Sequence, residues 1–152
     1  MAGRAGPHSR RIVIEFLGSG VDLSQADDLR RWGVAYGAEP DRFGPAARRV
    51  DEPVLVQDDL YIRDYDKCVL CYKRVQACGD DAQHTYAIAV AGRGFDARIS
   101  TEFDVALPDS ACVYCGNCVG VCPTGALQFK TEWDLRHTGD WRPEAQEVTR
   151  TV

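Results

Sequence analysis

The stretch Cys112-Val-Tyr-Cys115-Gly-Asn-Cys118-Val-Gly-Val-Cys122-Pro123 decides how this chain is read. Three thiols at two-residue gaps wrap a loop, so each can reach a different point around one centre. The fourth, Cys122, follows after a three-residue gap, is expected to start the next helix, and points away. Pro123 ends the segment and redirects the chain. Gly116 and Gly120 are expected to let backbone N–H groups come close to the centre. An earlier stretch, Cys68-Val-Leu-Cys71-Tyr-Lys-Arg74-Val-Gln-Ala-Cys78, has the same eleven-residue frame. Cysteine stands at the first, fourth and last positions of both. The seventh position is Cys118 in the later unit and Arg74 in the earlier one. A frame used twice is a repeated site and not a solenoid.

These two units hold all 7 cysteines of the 152-residue chain. An odd number of clustered cysteines argues against a disulfide framework and for metal or redox chemistry. The later unit has the spacing of the bacterial ferredoxin run, which binds iron–sulfur clusters and sends its fourth cysteine to the other cluster. This crossed rule assigns Cys78, Cys112, Cys115 and Cys118 to a first [4Fe-4S] cluster. A second would take Cys68, Cys71, Cys122 and position 74. Arg74 stays protonated and is no ordinary iron ligand. Three outcomes are open for the second site: a [3Fe-4S] cluster, a [4Fe-4S] cluster with an open iron, or an empty, degraded site. The competing metal is zinc, on Cys68, Cys71, Cys112 and Cys115, which leaves three cysteines without a role.

Composition is that of a globular chain, with 45% hydrophobic and 27% charged residues. The net charge of −5 is uneven, at +2 over residues 1–50 and −7 over the rest. An acidic body disfavours nucleic acid as a partner. No apolar run is long enough to span a membrane. Ser9-Arg10-Arg11 opens like a twin-arginine signal, but Glu15 breaks the apolar region such a signal needs, so a cytoplasmic location is expected.

Residues 1–8 are expected to be a disordered tail. Residues 9–53 form a helical lobe and linker, 54–137 carry the cysteines, and 138–152 form an extended tail. Within the lobe, residues 9–18 fit helix or strand. Residues 23–36 fit a helix with Ser24 as N-cap and Gly37 as C-cap. Pro40, Gly44, Pro45 and Pro53 mark the linker. Residues 54–56, 60–62 and 127–129 are expected to be extended, and 86–90 and 99–103 to pair as a hairpin between the cysteine units. Val69, Tyr72, Val75, Val113, Tyr114 and Val119 are the expected shields of the cysteine loops. Trp32, Trp133 and Trp141 are read as packing residues. His8, His84 and His137 stand apart from the cysteines.

From Tyr61-Ile62-Arg63-Asp64-Tyr65-Asp66-Lys67-Cys68 through Gly125-Ala126-Leu127 the chain closely resembles the two-cluster ferredoxin-like module of molybdenum/tungsten formate dehydrogenase alpha subunits. Related modules occur in the large iron–sulfur subunit of complex I and in iron-only hydrogenases. The motifs are Lys67-Cys68-Val69-Leu70-Cys71, Gly92-Arg93-Gly94-Phe95-Asp96-Ala97-Arg98, and Asp109-Ser110-Ala111-Cys112 through Pro123-Thr124-Gly125-Ala126-Leu127. Residues 11–19 (RIVIEFLGS) are similar to the helix that precedes a further cluster, ligated by one histidine and three cysteines, in that family. Residues 20–36 here contain neither residue type. In the family a stretch like residues 138–152 leads into a molybdopterin domain. Arg74 departs from the family's cysteine.

The expected fold is α+β: a ferredoxin-like 2[4Fe-4S] module with an inserted β-hairpin and a small N-terminal helical lobe. The expected function is single-electron transfer. The resemblance implies a molybdopterin-containing, formate dehydrogenase-like catalytic partner and a flavin/NAD or ferredoxin acceptor. No catalytic site of the chain's own is expected, so it would serve as a component of an oxidoreductase. The alternatives are a zinc-held interaction module and an enzyme acting through an open iron.

Overall fold

In a computed structural model, which describes residues 5–46 and 51–139, two helices, α1 (Ala5–Gly20) and α2 (Asp27–Tyr36), precede the cysteine units. The two units trace the same backbone. Their third residues are both left-handed, with φ 51° at Leu70 and 55° at Tyr114. So are their fifth residues, with φ 64° at Tyr72 and 75° at Gly116. Each unit then makes a single helical turn at its positions six to nine. These turns are α3 (Lys73–Gln76) and α4 (Asn117–Gly120), which pack together.

The two units diverge after these turns. The first runs on into a π-type turn over Ala77–Asp81, which carries Cys78. The second leaves its helix at Val121 and reaches Pro123, so Cys122 lies just past the helix and does not start one. A strand precedes the first unit, β1 (Tyr61–Arg63), and another follows the second. Between the units, β2 (Ile88–Ala91) pairs antiparallel with β3 (Arg98–Thr101), Ile88 opposite Thr101. Tyr86 and Phe103 fall outside these strands because both have positive φ, 52° each. The strand after the second unit, β4 (Leu127–Phe129), pairs antiparallel with β1, Tyr61 opposite Phe129. Leu55 adds a single bridge to Arg63 on the far side of β1.

Tyr61, Ile88, Ile99, Leu107 and Leu127 form the buried core, drawn from all four strands and the segment before the second unit. Cys68, Leu70, Val75, Cys78, Cys112, Tyr114, Cys118 and Val119 pack on it. Tyr72 and Val113 do not shield the loops as expected, since both are more than half exposed. The left-handed turn at Tyr72 sends that side chain to solvent, and Leu70 packs inward. Helix α5 (Lys130–Thr138) follows β4 directly. Ion pairs Lys130–Asp134 and Glu132–Arg136 at i,i+4 support it, and Gly139 closes it in the left-handed region.

The N-terminal lobe packs α1 against α2 and against the 3-10 segment Pro40–Ala46. Residues 9–18 are helical, and the helix already begins at Ala5, so residues 5–8 are not a disordered tail. Pro7 is tolerated there because first-turn N–H groups have no intrahelical acceptor. Helix α2 starts at Asp27, not beside Ser24, whose N–H and hydroxyl donate to Asp22 at 2.8 Å each. Gly37 does cap it, at φ 62°. Trp32 is half exposed rather than packed. Trp141 and the rest of the expected tail from residue 140 lie outside the described residues.

Glu15 sits fully buried on α1, bonded by Arg11 (2.7 Å), Arg42 (2.9 Å) and the Glu39 N–H (3.1 Å). The hydrogen bond from Arg11 is the chief reason its carboxyl titrates below the usual range. The other arginine of the Arg10-Arg11 doublet, Arg10, donates to the Tyr36 hydroxyl at 2.8 Å. The lobe meets the cysteine module at Lys67, the residue before Cys68. Lys67 Nζ pairs with Asp64 and reaches Asp22 of the lobe at 3.2 Å, and Asp22 N–H donates to Asp66 C=O at 2.7 Å. No helix among the described residues is long and apolar enough to cross a membrane.

Candidate iron–sulfur site

A left-handed residue costs an L-amino acid about 1–2 kcal/mol, and the two units place three such non-glycine residues beside their cysteines. Successive turns of alternating hand direct N–H groups to one side and make a concavity suited to anions. Thiolates and inorganic sulfide are such anions. Gly116 fills the fourth of these positions for a further reason. A β-carbon on it would lie 3.2 Å from the Phe129 ring, which covers this loop from β4. At Gly120, by contrast, nothing lies within contact distance, so no close approach requires that glycine.

Two of the cavities against these loops hold cysteines from both units. One, with about 360 Å³ of empty space, is lined by Cys78, Cys112, Cys115 and Cys118, together with Tyr61, Thr85, Ile88 and Leu107. The other, of about 230 Å³, is lined by Cys68, Cys71 and Cys122, together with Arg74, Ile99 and Thr124. Each cavity therefore draws cysteines from both units, because Cys78 leaves the first unit and Cys122 leaves the second. Among the described residues no three His, Cys, Asp or Glu groups converge as ligands of one metal ion. Cys68, Cys71, Cys112 and Cys115, the four cysteines of the zinc reading, are divided between the two cavities. His84 is exposed and lines neither one.

Donors surround the sulfurs. In the first cavity Tyr114 N–H points at Cys112 Sγ (3.4 Å), Asn117 Nδ2 at Cys115 Sγ (3.5 Å), and Thr85 Oγ1 lies 3.5 Å from Cys78 Sγ. In the second, Thr124 Oγ1 is 4.0 Å from Cys122 Sγ, and Arg74 Nη2 donates to Cys68 Sγ at 3.1 Å. Thr85, Thr124 and Asn117 escape a reading of the sequence, because a lone hydroxyl or amide carries no spacing signal. Donors of this kind tune a cluster and are as much a part of the site as its ligands.

The electrostatics of the two cavities differ. Burial pushes the Cys118 thiol up to about 11, and the neighbouring Cys112, Cys115 and Cys78 add to the rise. Burial also raises Cys112, against the Tyr114 N–H. Crowded thiols of this kind hold their protons until a cation replaces them. Burial acts on Cys122 as well, but the Arg74 guanidinium and the N–H groups of Thr124, Leu127 and Ala126 outweigh it, and this thiol titrates below its usual range. The first cavity thus has the chemistry of a four-thiolate cluster site. The second has three thiols and a built-in cation.

Residues 108–128 match the family model described as a 4Fe-4S binding domain. The chain is 42% identical over 75 residues to a subunit of the NADP-reducing hydrogenase of Solidesulfovibrio fructosivorans, covering 49% of this chain and 13% of that protein. It is 30% identical over 117 residues to a subunit of an NADH-quinone oxidoreductase of Rhizobium meliloti, covering 73% of this chain and 13% of that protein. Over 85 residues it is 36% identical to a Staphylococcus haemolyticus protein provisionally named a formate dehydrogenase, covering 55% of this chain and 8% of that one. The chain carries a 4Fe-4S module of the complex I and formate dehydrogenase family. The module binds a [4Fe-4S] cluster. Its fold is also similar to a chain of an NAD+-reducing [NiFe]-hydrogenase, with a TM-score of 0.69 at 24% identity, over 84% of this chain and 56% of the other. The matched stretches span between 8% and 13% of the length of the three named relatives.

Proposed function

We propose that the chain relays single electrons. In this reading Cys78, Cys112, Cys115 and Cys118 hold a [4Fe-4S] cluster, and Cys68, Cys71 and Cys122 hold a second iron–sulfur centre that lacks a thiolate at Arg74. The observation that carries it is the division of the seven thiols between two adjacent cavities, each fed by both units. When bound, a cluster supplies reversible one-electron chemistry. The chain's own part is to supply thiolates, aim N–H and hydroxyl donors at sulfur, and exclude water with Tyr61, Ile88, Leu107 and Ile99.

The catalytic partner we propose is a molybdopterin-containing subunit or domain of the formate dehydrogenase kind, with a flavin/NAD subunit or a ferredoxin as acceptor. The names of the relatives support this reading, since they are a hydrogenase subunit, an NADH-quinone oxidoreductase subunit and a formate dehydrogenase. We place the chain in the cytoplasm. The test is to purify the chain without oxygen and record protein-film voltammetry. Two reversible one-electron waves, one of which vanishes in Cys118→Ser, are the expected result. A colourless protein that contains zinc and gives no wave overturns the reading.

A further inference from the structure

Arg74 is the feature that electron relay leaves unexplained. It stands at the seventh position of its unit, where the other unit places Cys118, and the two one-turn helices that carry them have the same position in the frame. Its side chain is turned inward, leaving the residue only 5% exposed. One Nη donates to Cys68 Sγ at 3.1 Å, and the group lines the cavity shared by Cys68, Cys71 and Cys122. No carboxylate among the described residues lies within ion-pair distance of it. A degraded ligand position would be expected to swing a long, charged side chain out to water, as arginines do when nothing holds them. A buried guanidinium without an anion is costly, so the cavity must supply the negative charge that keeps it there.

Each iron of a cubane needs one terminal ligand from outside. Three thiolates therefore serve three irons, and the corner opposite them is where the fourth would stand. The frame position that the other unit gives to Cys118 here carries a planar cation with several N–H donors and no lone pair to offer a metal. We propose that the second cavity is built for a [3Fe-4S] cluster on Cys68, Cys71 and Cys122, with the Arg74 guanidinium occupying the fourth corner and donating to the sulfur face that the missing iron exposes. This rests on the iron–sulfur reading of both cavities. Arg74 acts here as a positioning and charge-compensating residue that sets which cluster forms.

The test is reconstitution of the full chain with ferrous iron and sulfide under strict anaerobiosis. Iron and acid-labile sulfide are then counted, and EPR is recorded before and after dithionite. The wild type is expected to hold about seven irons and to show the signal of an oxidised three-iron cluster. That signal should disappear in Cys71→Ser and persist in Cys115→Ser, which assigns it to the second cavity and not to damage in the first. Excess ferrous iron should leave the wild-type signal in place. In Arg74→Ala the same treatment should abolish it, because the corner is then open. Arg74→Cys should bind about eight irons as two cubanes. If the wild type holds about eight irons without a three-iron signal, the proposal fails. About four irons also overturns it while leaving the first cluster intact, and no iron at all overturns the electron-relay reading itself.

Discussion

Cys118 shows how one side chain couples metal, proton and fold. Its thiol is raised to about 11 by burial and by the three cysteines around it. An unfolded chain would release this proton near pH 8.5. The metal-free fold therefore favours the protonated form, and its contribution to stability is fully present below that pH. It is lost as pH rises towards 11, because the unfolded state ionises first. The melting temperature of the metal-free chain should fall between pH 8 and 11, and Cys118→Ser should flatten that fall. A calorimetric series across this range, on both proteins, checks it. Loading with iron should remove the dependence, since the cluster replaces the proton.

Among the elements, the two loop-and-turn units matter most, and there the conformation of single residues carries the geometry. Gly116→Ala places a β-carbon at φ 75° and 3.2 Å from the Phe129 ring. The left-handed backbone alone costs about 1–2 kcal/mol, and Phe129 must also shift. The variant should unfold at correspondingly lower denaturant and lose iron faster to a chelator, as followed by visible absorption. The cysteine frame of these units is legible in the sequence because ligand spacing is a one-dimensional property. The inward turn of Leu70 and the outward turn of Tyr72 are not, because both residues are left-handed and no pattern of apolar residues reports which way the loop turns each one. Helix α5 is legible in principle from Lys130–Asp134, Glu132–Arg136 and Gly139. Its start directly after Phe129, with no turn residue between, hides it. Residues 9–18 fit two periodicities, and the contacts of Glu15 with Arg11, Arg42 and the Glu39 N–H, two of them remote in sequence, favour the helix.

Considered as a whole, the molecule is a helical lobe tied to a cysteine module at Lys67. Burial would lower the pKa of this ammonium, but Asp64 and Asp22 outweigh it and the group titrates above its usual value. The two partners are unequal. Asp64 is buried with Lys67, whereas Asp22 is partly exposed. Removing one member of a buried pair costs about 3–5 kcal/mol, and losing an exposed partner costs about 0–1 kcal/mol. Lys67→Met should therefore destabilise the chain strongly and speed hydrogen exchange in the lobe. Asp22→Asn should change little, because it keeps an acceptor for Ser24 and its N–H still donates to Asp66 C=O. If the two variants have equal effects, measured by denaturant unfolding and exchange, Lys67 is not the tie between lobe and module.

The pairing of β1 with β4 has a consequence for where such a module can live. Tyr61 enters it and Phe129 leaves it directly opposite one another, and the Lys130 N–H donates to the Leu60 C=O at 2.8 Å. Entry and exit are thus neighbours on one sheet edge, and everything between them closes on itself. A host chain can accept such a cassette at a single surface loop without parting its own ends, much as a graft needs only one cut. The same geometry suits it to recurring as a short tract inside much longer proteins.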